Sequence, residues 1–146
     1  MSSCVFLADQ SAFWVSNKRL STLLEFGIQV ASEGVLAADE PKWLEKLRQF
    51  NDTSWPGIDL DLDGRFPSIE EKKFWARIYS NVARRIFLRQ LGNHEMTFWQ
   101  SSAIGDAYLI SRILTHAVQQ VEAGWHSDSE DVEEGNDFSR QIKFHV

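Results

Sequence analysis

Two long stretches of helical periodicity, 68–91 and 102–122, constrain this chain more than any other feature. In the first, Trp75, Ile78, Tyr79, Val82 and Ile86 recur at the three- and four-residue intervals that line up one face of an α-helix, while Lys73, Arg77 and Arg84 share the opposite side. Ser68 with Glu71 three residues later makes a capping box, in which each side chain satisfies a backbone N–H that the first turn leaves unpaired. Gly92-Asn93 supplies the stop. In the second stretch Ile104, Ala107, Tyr108, Leu114, Val118 and Val121 are joined by Ile110, Ile113 and Ala117. That widens the apolar arc and predicts a central helix covered on most of its surface. An apolar helical face must be buried against a neighbouring element, so a helix-dominated core is expected.

The first half of the chain supplies the neighbours. Asn17 is a candidate cap for a helix carrying Leu20, Leu23, Leu24, Gly27, Ile28 and Ala31 at helical spacing and ending near Gly34. Asp39-Glu40-Pro41 opens another, because proline already has the backbone angle of a first helical residue and its missing N–H is not needed there. Trp43, Leu44, Leu47 and Phe50 form its stripe before 51–57 break it. Ala12–Ser16 and Val5–Leu7 are short β-type runs. At the end of the chain Ile142, Phe144 and Val146 alternate with Gln141, Lys143 and His145, which predicts a strand pairing near the N-terminus or at 58–62. With 146 residues, 43% of them hydrophobic, the expectation is one α+β domain over 1–146. It has about four main helices and a small antiparallel sheet that includes the C-terminal strand.

The net charge of −6 is unevenly placed. Asp128, Glu130, Asp131, Glu133, Glu134 and Asp137 follow one another with no Lys or Arg among them, and without these six the remaining 15 acids match the 15 basic residues. The whole surplus therefore sits in an acidic surface segment at 126–137. A nucleic-acid partner is not expected, because a phosphate backbone needs a basic surface. Two readings fit the segment: a solvated surface loop, or a docking surface for a basic partner. Trp125 beside it, and Trp55 near Asp52 and Asp59, lie in turn-rich regions and pair an aromatic anchor with a negative rim, as protein interfaces do. The same tryptophans are also placed to lid the core from loops.

Ile58 to Glu70 is the one stretch that suggests specific chemistry. Asp59, Asp61, Asp63 and Gly64, with Glu70 six positions after the glycine, fit the loop that surrounds calcium with oxygens, Arg65 lending its carbonyl, and resemble an EF-hand loop. Against this stand Pro56-Gly57 where the preceding helix should run, Leu60 and Leu62 at positions that usually face water, Pro67, and the lack of a second loop. A buried-face strand over Ile58, Leu60 and Leu62, then an Asp63-Gly64 turn leading into the Ser68 cap, accounts for more of these residues. A metal-dependent hydrolase using Asp59, Asp61 and Asp63 is a further alternative, without a visible general base.

Other chemistry is sparsely represented. His94-Glu95 lacks the second histidine of a zinc-binding H-E-x-x-H helix, and His116 and His126 have no ligand-spaced companions. The single Cys4 forms no internal disulfide and reads as a small buried hydrophobe. The start of the chain has no basic residue ahead of its short apolar run, so a signal peptide is not expected. No apolar run approaches the roughly 20 residues of a membrane span, and the expected compartment is the cytoplasm. In size, acidity and lack of a catalytic constellation the chain resembles bacterial immunity proteins as a class. The resemblance implies a non-catalytic protein, without a cofactor, that covers a basic effector such as a nuclease toxin domain. The residues facing the partner would be Trp55, Trp125, Asp128, Glu130, Asp131, Glu133, Glu134 and Asp137.

Overall fold

The computed structural model of the chain describes residues 2–7, 9, 11–53, 59–91 and 100–123. Within them the order is β1 (Ser2–Phe6), β2 (Ala12–Ser16), α1 (Asn17–Glu33), α2 (Glu40–Thr53), β3 (Leu60–Asp61), α3 (Leu62–Arg65), α4 (Ile69–Phe87) and α5 (Gln100–Glu122). The helix-dominated α+β class holds, with α1, α2, α4 and α5 as the four main helices.

The sheet differs from expectation in one strand. Its order is β2-β1-β3, with β1 antiparallel to β2 and parallel to β3 through Val5↔Leu60 and Phe6↔Asp61. The third strand is thus Leu60–Asp61 and not the C-terminal run, and the sheet is mixed where an antiparallel one was expected. The reason lies in the route of the chain: after β2 it passes through α1 and α2 before returning beside β1, and parallel neighbours require such a crossover. Both edges of β1 are then occupied. The expected strand at 141–146 lies outside the described residues.

Helices α1 and α4 begin where a side chain satisfies the first turn. Ser16, one residue before the expected Asn17, caps α1 by accepting from the Arg19 N–H at 3.2 Å. Asn17 instead accepts a bond from the Ser3 hydroxyl, fastening the helix start to β1. Ser68 caps α4 as the capping box predicts, accepting from the Glu71 N–H at 3.1 Å. The Glu71 carboxylate takes a different course and meets Lys46 of α2 at 2.6 Å. Helix α4 stops at Phe87, short of the expected Leu91, because Arg89 turns left-handed at φ 59 and Leu88, Arg89 and Gln90 bond back to the last carbonyls.

The core forms where α1, α2 and α5 close on the inner face of α4. Trp75 and Tyr79 are fully buried there, and Trp75 stacks on Phe66 (centroids 5.3 Å) and meets Phe74 edge-on (4.9 Å). Val5, Phe13 and Val15 line the inner face of the sheet, while Trp14 on its outer face is 58% exposed. The approach of α1 to α4 depends on Gly27: an added Cβ would lie 2.6 Å from the Tyr79 hydroxyl, which donates to the Leu23 carbonyl at 3.0 Å. Between α5 and α4 the Ser111 hydroxyl donates to the Ala76 carbonyl at 2.7 Å. No helix among the described residues is long and apolar enough to cross a membrane.

Candidate functional site

The candidate calcium loop is built as a structural corner. Leu60, Leu62 and Phe66 are buried, as alternation with the aspartates requires. The acids of the loop then serve three separate ends. Asp59 accepts the Cys4 N–H at 2.7 Å, prolonging the β1–β3 ladder by one bond. Asp61 caps α3 by accepting the Asp63 N–H at 3.1 Å, and a Cβ on Gly64 would come within 2.7 Å of the second Asp61 oxygen. The glycine therefore makes room for the cap. Asp63 meets the Lys72 ammonium at 3.2 Å, and that ammonium also donates to the Phe66 carbonyl at 2.6 Å. Arg65 lies over the Phe50 ring at 4.0 Å, and Glu70 sits exposed in the first turn of α4, where a negative charge suits the helix dipole. An EF-hand turns its carboxylates toward one centre; here they point to different partners. Among the described residues no three His, Cys, Asp or Glu side chains gather in a group fit to hold a metal ion.

The buried ionic groups elsewhere have structural roles. Asp106 on α5 is 3% exposed and bonds Arg19 of α1 at 2.8 Å. Burial raises its carboxyl above the usual range, and the nearby guanidinium partly offsets this. Burial alone pushes the Tyr79 hydroxyl well upward, so it stays a proton donor. Lys72 is held by the Phe66 carbonyl and the Asp63 carboxylate.

On the outer side of α4, Lys73 and Arg77 stand between two clefts. One, of about 670 Å³, opens toward α2 and is floored by the tilted pair Trp43 and Phe74, with Ser68, Glu70 and Glu71 along its rim. The other, of about 420 Å³, runs between α4 and α5 over Ala76 and Val118 and is edged by Ser80, Thr115 and Glu122. The Lys73 ammonium meets Glu122 at 2.6 Å, which raises its pKa, and Arg77 reaches Glu40 at 3.5 Å. Both cations are more than half exposed, so each pair contributes little and can be exchanged for another carboxylate. The sequence placed Lys73, Arg77 and Arg84 on one side of the helix, but gave no sign that α5 would supply the second wall of a groove.

Trp55, Trp125, Asp128, Glu130, Asp131, Glu133, Glu134 and Asp137 lie outside the described residues, as does the whole 126–137 segment. Comparison with family models, with curated proteins and with solved structures found no match.

Proposed function

We propose that the chain is a non-catalytic, cytoplasmic binding protein of the immunity type, which neutralises a basic effector such as a nuclease toxin domain by covering its active site. The observation that carries this reading is the charge distribution: outside Asp128–Asp137 acids and bases balance, so the entire surplus of −6 is concentrated in one segment. A cluster of this kind steers a cationic surface toward it and accelerates encounter. Glu130, Asp131, Glu133 and Glu134 face the partner's cationic groups, the outer acids Asp128 and Asp137 extend the field, and Trp125 and Trp55 supply the apolar anchors that slow departure. The use of the buried ionic groups in capping and pairing is consistent with a chain that binds rather than catalyses.

Capture on the immobilised full chain from an extract of the native host, followed by assay of the captured protein, tests the reading. The expected result is a basic partner whose activity on nucleic acid falls when the free chain is added in equimolar amount. The Trp125→Ala chain should suppress it less well, through faster dissociation. Capture of a partner whose activity is untouched by the chain would contradict neutralisation.

A further inference from the structure

We infer that the groove between α4 and α5 is a second docking surface, opposite in sign to the acidic segment, whose occupant is an acidic amphipathic helix of a partner protein. Charge gives the first ground. From Lys72 to Phe87 helix α4 has no acid; Lys72 and Arg85 are taken up by Asp63 and Glu33, and Lys73, Arg77 and Arg84 share its outer side. From Gln100 to Val121 helix α5 has one acid, Asp106, which is turned inward against Arg19. Glu122 is the only carboxylate among the described residues that line this groove, and it stands at one end.

Geometry gives the second ground. Lys73, Arg77, Ser80, Arg84 and Phe87 follow at steps of four and three, which keeps them on one face of α4. On α5, Tyr108, Thr115 and Glu122 follow at steps of seven, so Tyr108 shares a helix face with the groove residues Thr115 and Glu122. At 1.5 Å per residue the stretch from Lys73 to Phe87 is about 21 Å long, the length of roughly four helical turns. The groove itself lies between Lys73 and Ser80 on α4 and between Ser111 and Glu122 on α5. Further along the same two helices Phe87 is 70% exposed and Tyr108 52%, and the Arg112 guanidinium lies over the Tyr108 ring at 5.6 Å. A third helix laid between two packed ones uses the ridges-into-grooves fit of ordinary helix packing, and helix-in-groove recognition follows the same physics.

An occupant must therefore bring carboxylates for the arginines and an apolar stripe for Phe87 and Tyr108. The chain's own acidic segment brings the first but little of the second: between Trp125 and Phe138, which flank it, its only large apolar residue is Val132. A second copy of this face would set arginines against arginines. A partner helix with Glu on its flanks and Leu on its stripe satisfies both demands.

The probe is a fluorescein-labelled sixteen-residue peptide with Leu at helical three–four spacing and Glu between, titrated into the full chain and followed by anisotropy. A twin peptide with Lys in place of Glu is the control. The Glu peptide should bind, the Lys peptide at least about tenfold more weakly, and added salt should weaken the Glu complex. Arg84→Glu and Tyr108→Ala, each at an exposed position, should separately cut affinity by about fivefold or more with the melting temperature unchanged. Absence of binding, equal binding of both peptides, or indifference to both substitutions would overturn the inference. So would an affinity that rises about tenfold when the six acids of 128–137 are replaced by Asn and Gln, because the groove would then belong to that segment. Self-association abolished by Arg84→Glu would equally overturn it, in favour of a second copy.

Discussion

The two faces of α4 have opposite properties. The inner face carries Trp75, Tyr79, Val82 and Ile86, all fully buried, and α1 approaches it closely enough that a single Cβ at residue 27 would collide with Tyr79. The outer face carries Lys73, Arg77 and Arg84; Lys73 and Arg77 line open grooves, where Lys73 pairs with Glu122 and Arg77 with Glu40 and the Phe74 ring. One helix thus presents a packed face and an accessible face along its length. Substitutions on the inner face should change folding, and substitutions on the outer face should change only what the protein meets.

The largest expected effect is at Trp75. Trp75→Ala removes a ring packed on Phe66 and Phe74 and leaves a cavity, which should cost about 3–5 kcal/mol in urea unfolding. A loss under 1 kcal/mol would break the comparison at its densest point. Gly27→Ala comes next, at about 1–3 kcal/mol for overpacking against a ring that has nowhere to move. Tyr79→Phe should cost about 1 kcal/mol for the lost bond to the Leu23 carbonyl. The two combined sharpen the picture: the hydroxyl is the atom nearest the added methyl, so the double variant should be more stable than the sum of the single losses.

A smaller effect depends on pH. Asp106 has its pKa raised by burial, so the folded state holds that proton more tightly than the unfolded chain does. The stability contributed by this site therefore increases as pH falls through the folded pKa and is lower above it. Relative to Asp106→Asn, the native chain should gain melting temperature between pH 7 and pH 4, and a gap that stays constant would contradict the assignment. The smallest effect belongs to the outer face, where Arg84→Glu should shift stability by no more than about 0.5 kcal/mol. A shift of 2 kcal/mol would show that the outer face also supports the fold.

Local pattern made the helices legible. The three- and four-residue steps in Leu20–Leu24, Leu44–Leu47 and Trp75–Ile86 need no tertiary knowledge, and the Ser68 cap is written in two residues. The choice at 58–70 was also partly legible, since Leu60 and Leu62 conflict with a water-facing calcium loop. Pairings across long sequence separations were not. Nothing near Asp59 indicates that it meets the Cys4 N–H, and nothing near Glu71 indicates that Lys46 draws its carboxylate away from the capping box. The parallel direction of Leu60–Asp61 depends on the path through α1 and α2, which periodicity does not encode. The groove beside Lys73 and Arg77 needed the packing of α5 to exist at all. The acidic segment, by contrast, is a property of composition, and its meaning rests on what it attracts.

The most direct test of the account is the association rate of the captured basic partner with the chain in which Glu130, Glu133 and Glu134 are Gln and Asp131 is Asn. It should be measured by stopped-flow at low and at physiological salt. The account predicts an unchanged melting temperature, an on-rate at low salt reduced by about tenfold or more, and a much weaker salt dependence. An on-rate at low salt equal to that of the native chain would contradict it.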